Sequence, residues 1–266
     1  MPVIFEPPAA LLSAQSAGSL GSPGDGSGLA SNGGLQIWIA ASPANADPLW
    51  GGCQVWLSFD DSSYVQIGVI ETPAREGVLA ASLAAPSGVN PDTTDTLAVD
   101  LSMSGGELPT GSDSDAVNGR TLCFVDGELI AFGLATPTGG SGYDLTDLYR
   151  ASYGSTGSAH AAGAPFLFLD DAVFKYNLPP AYVEQPLYFK LASFNVWGGG
   201  LQDLSAVSAV TYVPAGTGLA FSNSPFMALL YNGATISLGD IGNPVADDFE
   251  CGDIGGVGEV LTLGSF

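Results

Sequence analysis

The stretch "TLCFVDGELIAFG" (121–133) sets two apolar runs either side of Asp126-Gly127. Asp-Gly supplies the two left-handed backbone positions that a two-residue type I′ turn requires, which makes it a strong short-range signal for a β-hairpin. "FMALLYNGATISL" (226–238) repeats the device with Asn232-Gly233. Further runs with strand character lie around the hairpin: "LQIWIA" (35–40), "CQVWLSF" (53–59), "YVQIGVI" (64–70), "TLAVDLS" (96–102) and "LYFKLASFN" (187–195). In the second of these, Val55, Leu57 and Phe59 alternate with Gln54, Trp56 and Ser58, the period of a half-buried strand. No segment of useful length combines a cap with a 3.6-residue period, and "DLTDLYRASY" (144–153) offers a turn or two of helix at most. The chain therefore reads as all-β.

Composition agrees and narrows the function classes. The 266 residues include 37 Gly and 18 Pro, suited to a turn-rich β protein, and 46% are hydrophobic, enough for a sizeable core. Five Lys and Arg stand against 27 Asp and Glu, a net charge of −22. A surface of that sign repels phosphate backbones and anionic lipid, so nucleic-acid binding is not expected. No apolar stretch approaches the length of a spanning helix. "MPVIFEPPAALLSAQSAG" (1–18) lacks a basic n-region, and Glu6, Pro7 and Pro8 interrupt its apolar runs, so it does not read as a secretory signal. Cys53, Cys123 and Cys251 are widely spaced and odd in number. They read as reduced thiols made in a cytoplasm, with Cys53 and Cys123 as small core residues.

Candidate chemistry centres on "LYRASYGSTGSAHAAGAPFLFLDD" (148–171), which holds Arg150 and His160, the only histidine. A catalytic histidine needs a nucleophile on a fixed turn and a buried carboxylate behind it. Ser152, Ser155 and Ser158 lie in Gly- and Ala-rich sequence without a G-x-S-x-G motif, so a loop histidine bonded to backbone is the expected role. The doublets Asp60-Asp61, Asp170-Asp171 and Asp247-Asp248 read as solvated strand ends, because adjacent strand residues point to opposite faces. Glu128, just past the hairpin turn, reads as structural. "GSDSDAVNG" (111–119) offers oxygen ligands from Asp113, Asp115 and Asn118, without the spacing or terminal Glu of an EF-hand. No catalytic, cofactor or metal residues are therefore assigned, with calcium at that loop the one cofactor to consider. Trp38, Trp50, Trp56 and Trp197 are expected mainly in the core, with Trp50 and Trp197 as surface-contact aromatics. "GDIG" occurs twice, at 239–242 and 252–255, too little for a solenoid.

Three stretches, in order, resemble the C-terminal region of phage and gene transfer agent tail-tip hub proteins, the host-specificity or baseplate components. They are "LWGGCQVWLSFDDSSYVQIGVI" (49–70), "GRTLCFVDGELIAFGLAT" (119–136) and the 148–171 segment. The likeness spans about residues 35–175. It departs from the family pattern where Ala151-Ser152 follows Arg150, and where "GST" (154–156) stands for "GT". It implies a virion structural protein at the tail tip or baseplate, active in assembly and host attachment and without enzymatic activity. It also implies a hairpin motif at Asp126, Gly127 and Glu128, and a structural loop motif at Arg150, Gly154, Thr156, His160 and Gly163. Other hub subunits, a homo-oligomer (a trimer by the resemblance) and a host glycan or protein are the implied partners.

"PLYFKLASFNVWGGGLQDLSAVSAVTYVP" (186–214) resembles the last two strands of a fibronectin type III-like sandwich, while strands for its first half lie at 35–70. The expected organisation is an N-terminal arm and Gly/Ser-rich linker (1–34), with the linker from residue 13, and a discontinuous β-sandwich (35–76 plus 176–214). An inserted β-barrel or sandwich (77–175) and a C-terminal β segment (215–266) complete it. Each half of the sandwich has too few strands to cover its own apolar face. The alternative function is a secreted carbohydrate-binding or carbohydrate-cleaving β-sandwich module.

Overall fold

The structure, a computed structural model, describes residues 2–18 and 35–219. The Asn232-Gly233 hairpin, both "GDIG" copies, Cys251, Asp247-Asp248 and the C-terminal β segment from residue 220 onward lie outside the described residues. The described chain is a β-sandwich that carries a closed barrel in one of its loops.

Seven strands build the sandwich: β1 (Val3–Phe5), β2 (Leu35–Ala40), β3 (Trp50–Ser58), β4 (Val65–Ile70), β11 (Phe174–Leu178), β12 (Leu187–Asn195) and β13 (Val210–Tyr212). They form two antiparallel sheets in the orders β1-β2-β11 and β13-β12-β3-β4. This is the three-plus-four arrangement of a fibronectin type III sandwich, with the barrel occupying the connection from β4 to β11. Alternation turns Leu35, Ile37 and Ile39 of β2, Val55 and Leu57 of β3, and Phe189 of β12 to buried faces. The alternation read over 53–59 stops at Leu57. β3 ends at Ser58, which is buried, and Phe59 is exposed and stacked on Tyr182 at 4.3 Å.

Six strands close the barrel in the order β10-β5-β6-β9-β8-β7. They are β5 (Glu76–Leu79), β6 (Leu97–Asp100), β7 (Leu122–Val125), β8 (Glu128–Gly139), β9 (Gly142–Tyr149) and β10 (Pro165–Phe168). Closure leaves the barrel wall without free edges. Asp126 and Gly127 both have positive φ, 43° and 94°, as the turn chemistry demands. The pleat sends Cys123, Val125, Ile130, Phe132, Phe166 and Phe168 inward, where they pack with Leu97, Val99, Leu145 and Leu148. The opposite face of the same strands is also buried. Leu122, Leu129, Ala131 and Leu167 pack outside the wall against Phe5, Trp38, Ala40 and a helix, α1 (Ala9–Gly18). A wall apolar on both faces explains why "LCFV" and "ELIAFG" read as continuous apolar runs. Cys53 and Cys123 are buried free thiols, and burial pushes the Cys53 thiol up to about 12.

Helix α1 corrects two expectations, the absence of helix and the start of the linker at residue 13. The Pro8 carbonyl accepts the amides of Leu11 and Leu12, and both leucines bury in the seam between sandwich and barrel. Tertiary burial, not amphipathic period, makes this helix. Residues 3–5 likewise form an edge strand and not a free arm. Glu6 then fastens the far end of the sandwich, for its carboxylate accepts the amides of Ala215, Gly216 and Gly218 at 2.9–3.0 Å. "DLTDLYRASY" is also not helical. Most of it is β9, and only residues 152–154 form a single 3-10 turn.

Candidate functional site

The barrel register decides which residues can meet. The strand ends Leu79, Val125, Tyr149 and the starts Leu97, Glu128 and Pro165 all lie at one end, opposite the two crossings (71–75 and 169–173) that join barrel to sandwich. Three connections cap this end: the Asp126-Gly127 turn, the 80–96 loop and the 150–164 loop. Glu128 has the same parity as Ile130 and Phe132, so its side chain points into the barrel mouth.

There it meets Arg150 and His160, and all three side chains are almost wholly excluded from solvent. Arg150 Nε donates to Glu128 Oε1 at 2.8 Å and Nη2 donates to Oε2 at 2.9 Å, a bidentate pair. His160 Nε2 lies 2.8 Å from Oε2. The amides of Ala151 and Ser158 complete the set at 2.9 and 3.1 Å. An ionised carboxylate only accepts, so the Nε2 proton sits on the Glu128 side of the ring. Arg150 reaches both loops as well: Nη1 donates to the Ala84 carbonyl at 3.0 Å and Nη2 to the Ser158 carbonyl at 2.7 Å. The Asn90 side chain brackets the Arg150 backbone, accepting its amide and donating to its carbonyl. Leu83 and His160 exchange paired backbone hydrogen bonds at 2.9 Å. The Glu128–Arg150 pair thus ties all three capping connections together, the carboxylate holding the 150–164 loop and the guanidinium reaching the 80–96 loop.

Burial alone would push the Glu128 carboxyl up. The bonds from Arg150, His160, Ala151 and Ser158 outweigh it and hold the group below the ordinary glutamate range. A depressed folded value contributes stability above the unfolded value of about 4.3, and that stability is lost as pH falls through the folded value. The thermal midpoint of the native chain is therefore expected to fall below about pH 4. In Glu128→Gln, melts between pH 2 and 7 should lack the Glu128 share of that acid slope. An unchanged slope would mean that the carboxyl is not held low. Glu76 makes the contrast: buried at the start of β5, its carboxylate receives the Ser42 hydroxyl at 2.6 Å, and burial raises it.

The arrangement holds; it does not present a reacting atom. His160 Nδ1 is buried without a hydrogen-bond partner, so the ring has no hydroxyl to activate. Ser155 Oγ accepts the Leu129 amide and donates to the Ser152 carbonyl, and Ser152 Oγ donates to the Tyr149 carbonyl. The expectation that His160 bonds backbone through its ring is corrected: the ring bonds Glu128, and only its main chain pairs with Leu83. Sequence reading had Glu128 and Arg150–His160 in separate motifs. A lone arginine and lone histidine inside an uncharged loop were the available signal, since such groups need a buried acceptor.

The other residues singled out scatter. Gly154 and Gly163 take positive φ, 75° and 84°, in the capping loop, and Thr156 is exposed. Asp113, Asp115 and Asn118 do not converge on a cation. Residues 113–117 fold as a short helix, α2 (Asp113–Val117), capped by Ser112. Asp115 is engaged by Ser112 and Arg120, Asp113 by the Tyr149 hydroxyl, and Asn118 by the Ser114 carbonyl. Among the described residues no group of three or more His, Cys, Asp or Glu is placed to hold a metal ion, and no helix is long and apolar enough to cross a membrane. Trp38 is buried, Trp50 is half-buried with Nε1 on Ser193 Oγ, and Trp197 is 77% exposed.

Residues 74–167, the whole barrel but for the last residue of β10, match the family model described as Rcc01698-like, C-terminal, a family of gene transfer agent and phage-like proteins. No curated protein matches the chain.

Proposed function

We propose that this chain is a structural protein of a phage-type tail tip or baseplate, contributing to tail assembly and host-surface attachment, and that it is not an enzyme. The observation that carries the reading is the family match over the barrel. The geometry supports it from the other side, since the cluster of Glu128, Arg150 and His160 is consumed in closing the barrel mouth. A barrel locked at one end and bolted along its wall to a sandwich is a rigid module, suited to transmitting contact without chemistry. In the virion its partners are other tail-tip subunits, with a homo-oligomer such as a trimer, and a host surface glycan or protein. The net charge of −22 argues against a phosphate-gripping role.

Mass spectrometry of purified particles is the direct test, and the chain is expected at a fixed copy number per particle. Particles that lack it, or saturable cleavage of a polysaccharide by the purified chain, would overturn the reading. His160→Ala should lower particle yield by weakening the barrel mouth, with no turnover to lose.

A further inference from the structure

The geometry points to the outer edge of β4 as a docking site for an extended segment of another polypeptide, uncharged along its middle and basic at both ends. β4 closes the four-stranded sheet; it pairs with β3 on one side, and with no strand on the other among the described residues. Sheet edges are ordinarily guarded by Lys, Pro, charge or a covering element. Val65–Ile70 contains no charge and no proline, and Val65 and Val69 are 67% and 39% exposed. The one guard is a bulge at Ile67, which a paired strand would have to match, a source of selectivity. The strand is also rigidly seated. Phe174 lies over Gly68, close enough that a Cβ there would sit 2.4 Å from its ring.

Charge selects the occupant. Exposed Asp60 and Asp61 precede the strand, and exposed Glu71 follows it. At the Glu71 end a groove of about 460 Å³ opens between β4 and β11, with Glu71 and Asp171 on its walls. Nearby cations are already engaged: Lys175 lies 4.5 Å over the Trp38 ring, and Lys190 lies over Tyr64 while donating to the Leu204 carbonyl. A second copy of this chain is a poor occupant. Pairing β4 with β4 in either direction sets acidic flank against acidic flank, and like charges across an interface are strongly unfavourable. A strand with Lys or Arg at its ends would instead gain main-chain hydrogen bonds along the edge and neutralise both flanks.

The test uses the full chain and two synthetic peptides, Lys-Lys-(Thr-Val)3-Lys-Lys and Glu-Glu-(Thr-Val)3-Glu-Glu, with amide hydrogen exchange read at residues 65–70. The lysine peptide should slow exchange there, and the glutamate peptide should bind at least about tenfold more weakly. The double variant Val65→Lys, Val69→Lys, checked for a native melt, should lose the protection. The proposal is overturned if the lysine peptide leaves 65–70 unprotected, if both peptides protect alike, or if the folded double variant is still protected. It is also overturned if the chain dimerises through this edge. Failure here leaves the tail-tip reading standing, because particle composition is measured independently.

Discussion

Replacing Glu128 with Gln should lower the stability of the barrel by about 3–5 kcal/mol, the range for breaking a buried ion pair by removing one partner. The carboxamide keeps the size of the side chain but not its charge, so Arg150 is left as a buried cation without a counter-ion. It also replaces one accepting oxygen with a donor, and that donor faces hydrogens now held by Arg150, His160 and the Ser158 amide. For a chain of this size the thermal midpoint should fall by about 6–20 °C. Arg150→Met alone should cost a similar amount, because it strands the carboxylate instead. The double variant Glu128→Leu, Arg150→Met removes both charges together and should recover most of the loss. Thermal melts of the three variants decide the point. Additive losses in the double variant would show that Glu128 and Arg150 act independently, against the geometry of a single bidentate pair.

Trp38→Ala should cost about 3–5 kcal/mol, as large aromatic truncations in cores do. Trp38 sits on β2 with its ring turned away from the sandwich interior and into the seam with the barrel wall. Phe5 meets it edge-on at 5.5 Å, and Lys175 covers it. Phe5 in turn stacks on Phe124 of β7 at 4.1 Å, so one aromatic chain runs from the sandwich sheet to the barrel. Losing its sandwich-side end should loosen the joint before it unfolds either part. Limited proteolysis should then cut the crossings at 71–75 or 169–173 faster than in the native chain. If Trp38→Ala resists cleavage there as well as the native protein does, the seam is held by other contacts.

Much of the architecture was legible because it is written in local chemistry. Asp126-Gly127 forces a reversal wherever it is placed, and alternation along β3 and β12 assigns faces before any partner is known. The pairing of an early β2–β4 set with a late β12–β13 pair follows from burial, since two or three strands cannot shelter their own apolar side chains. Helix α1 was not legible, because Leu11 and Leu12 give no helical stripe, and only the seam under Trp38 makes burying them favourable. The bare edge of β4 was equally hidden, as an edge is defined by strand order and not by composition. The barrel lock shows the same limit most sharply. Glu128 is 22 residues from Arg150 and 32 from His160, on a hairpin and a loop with no shared sequence pattern. Residue types alone place Arg150 and His160 in a loop motif and Glu128 in a hairpin motif, with nothing to join them. Only the pairing of β8 with β9, which sets the start of one beside the end of the other, and the Leu83–His160 backbone pairing that folds the loop over the mouth decided that a single carboxylate would serve both Arg150 and His160.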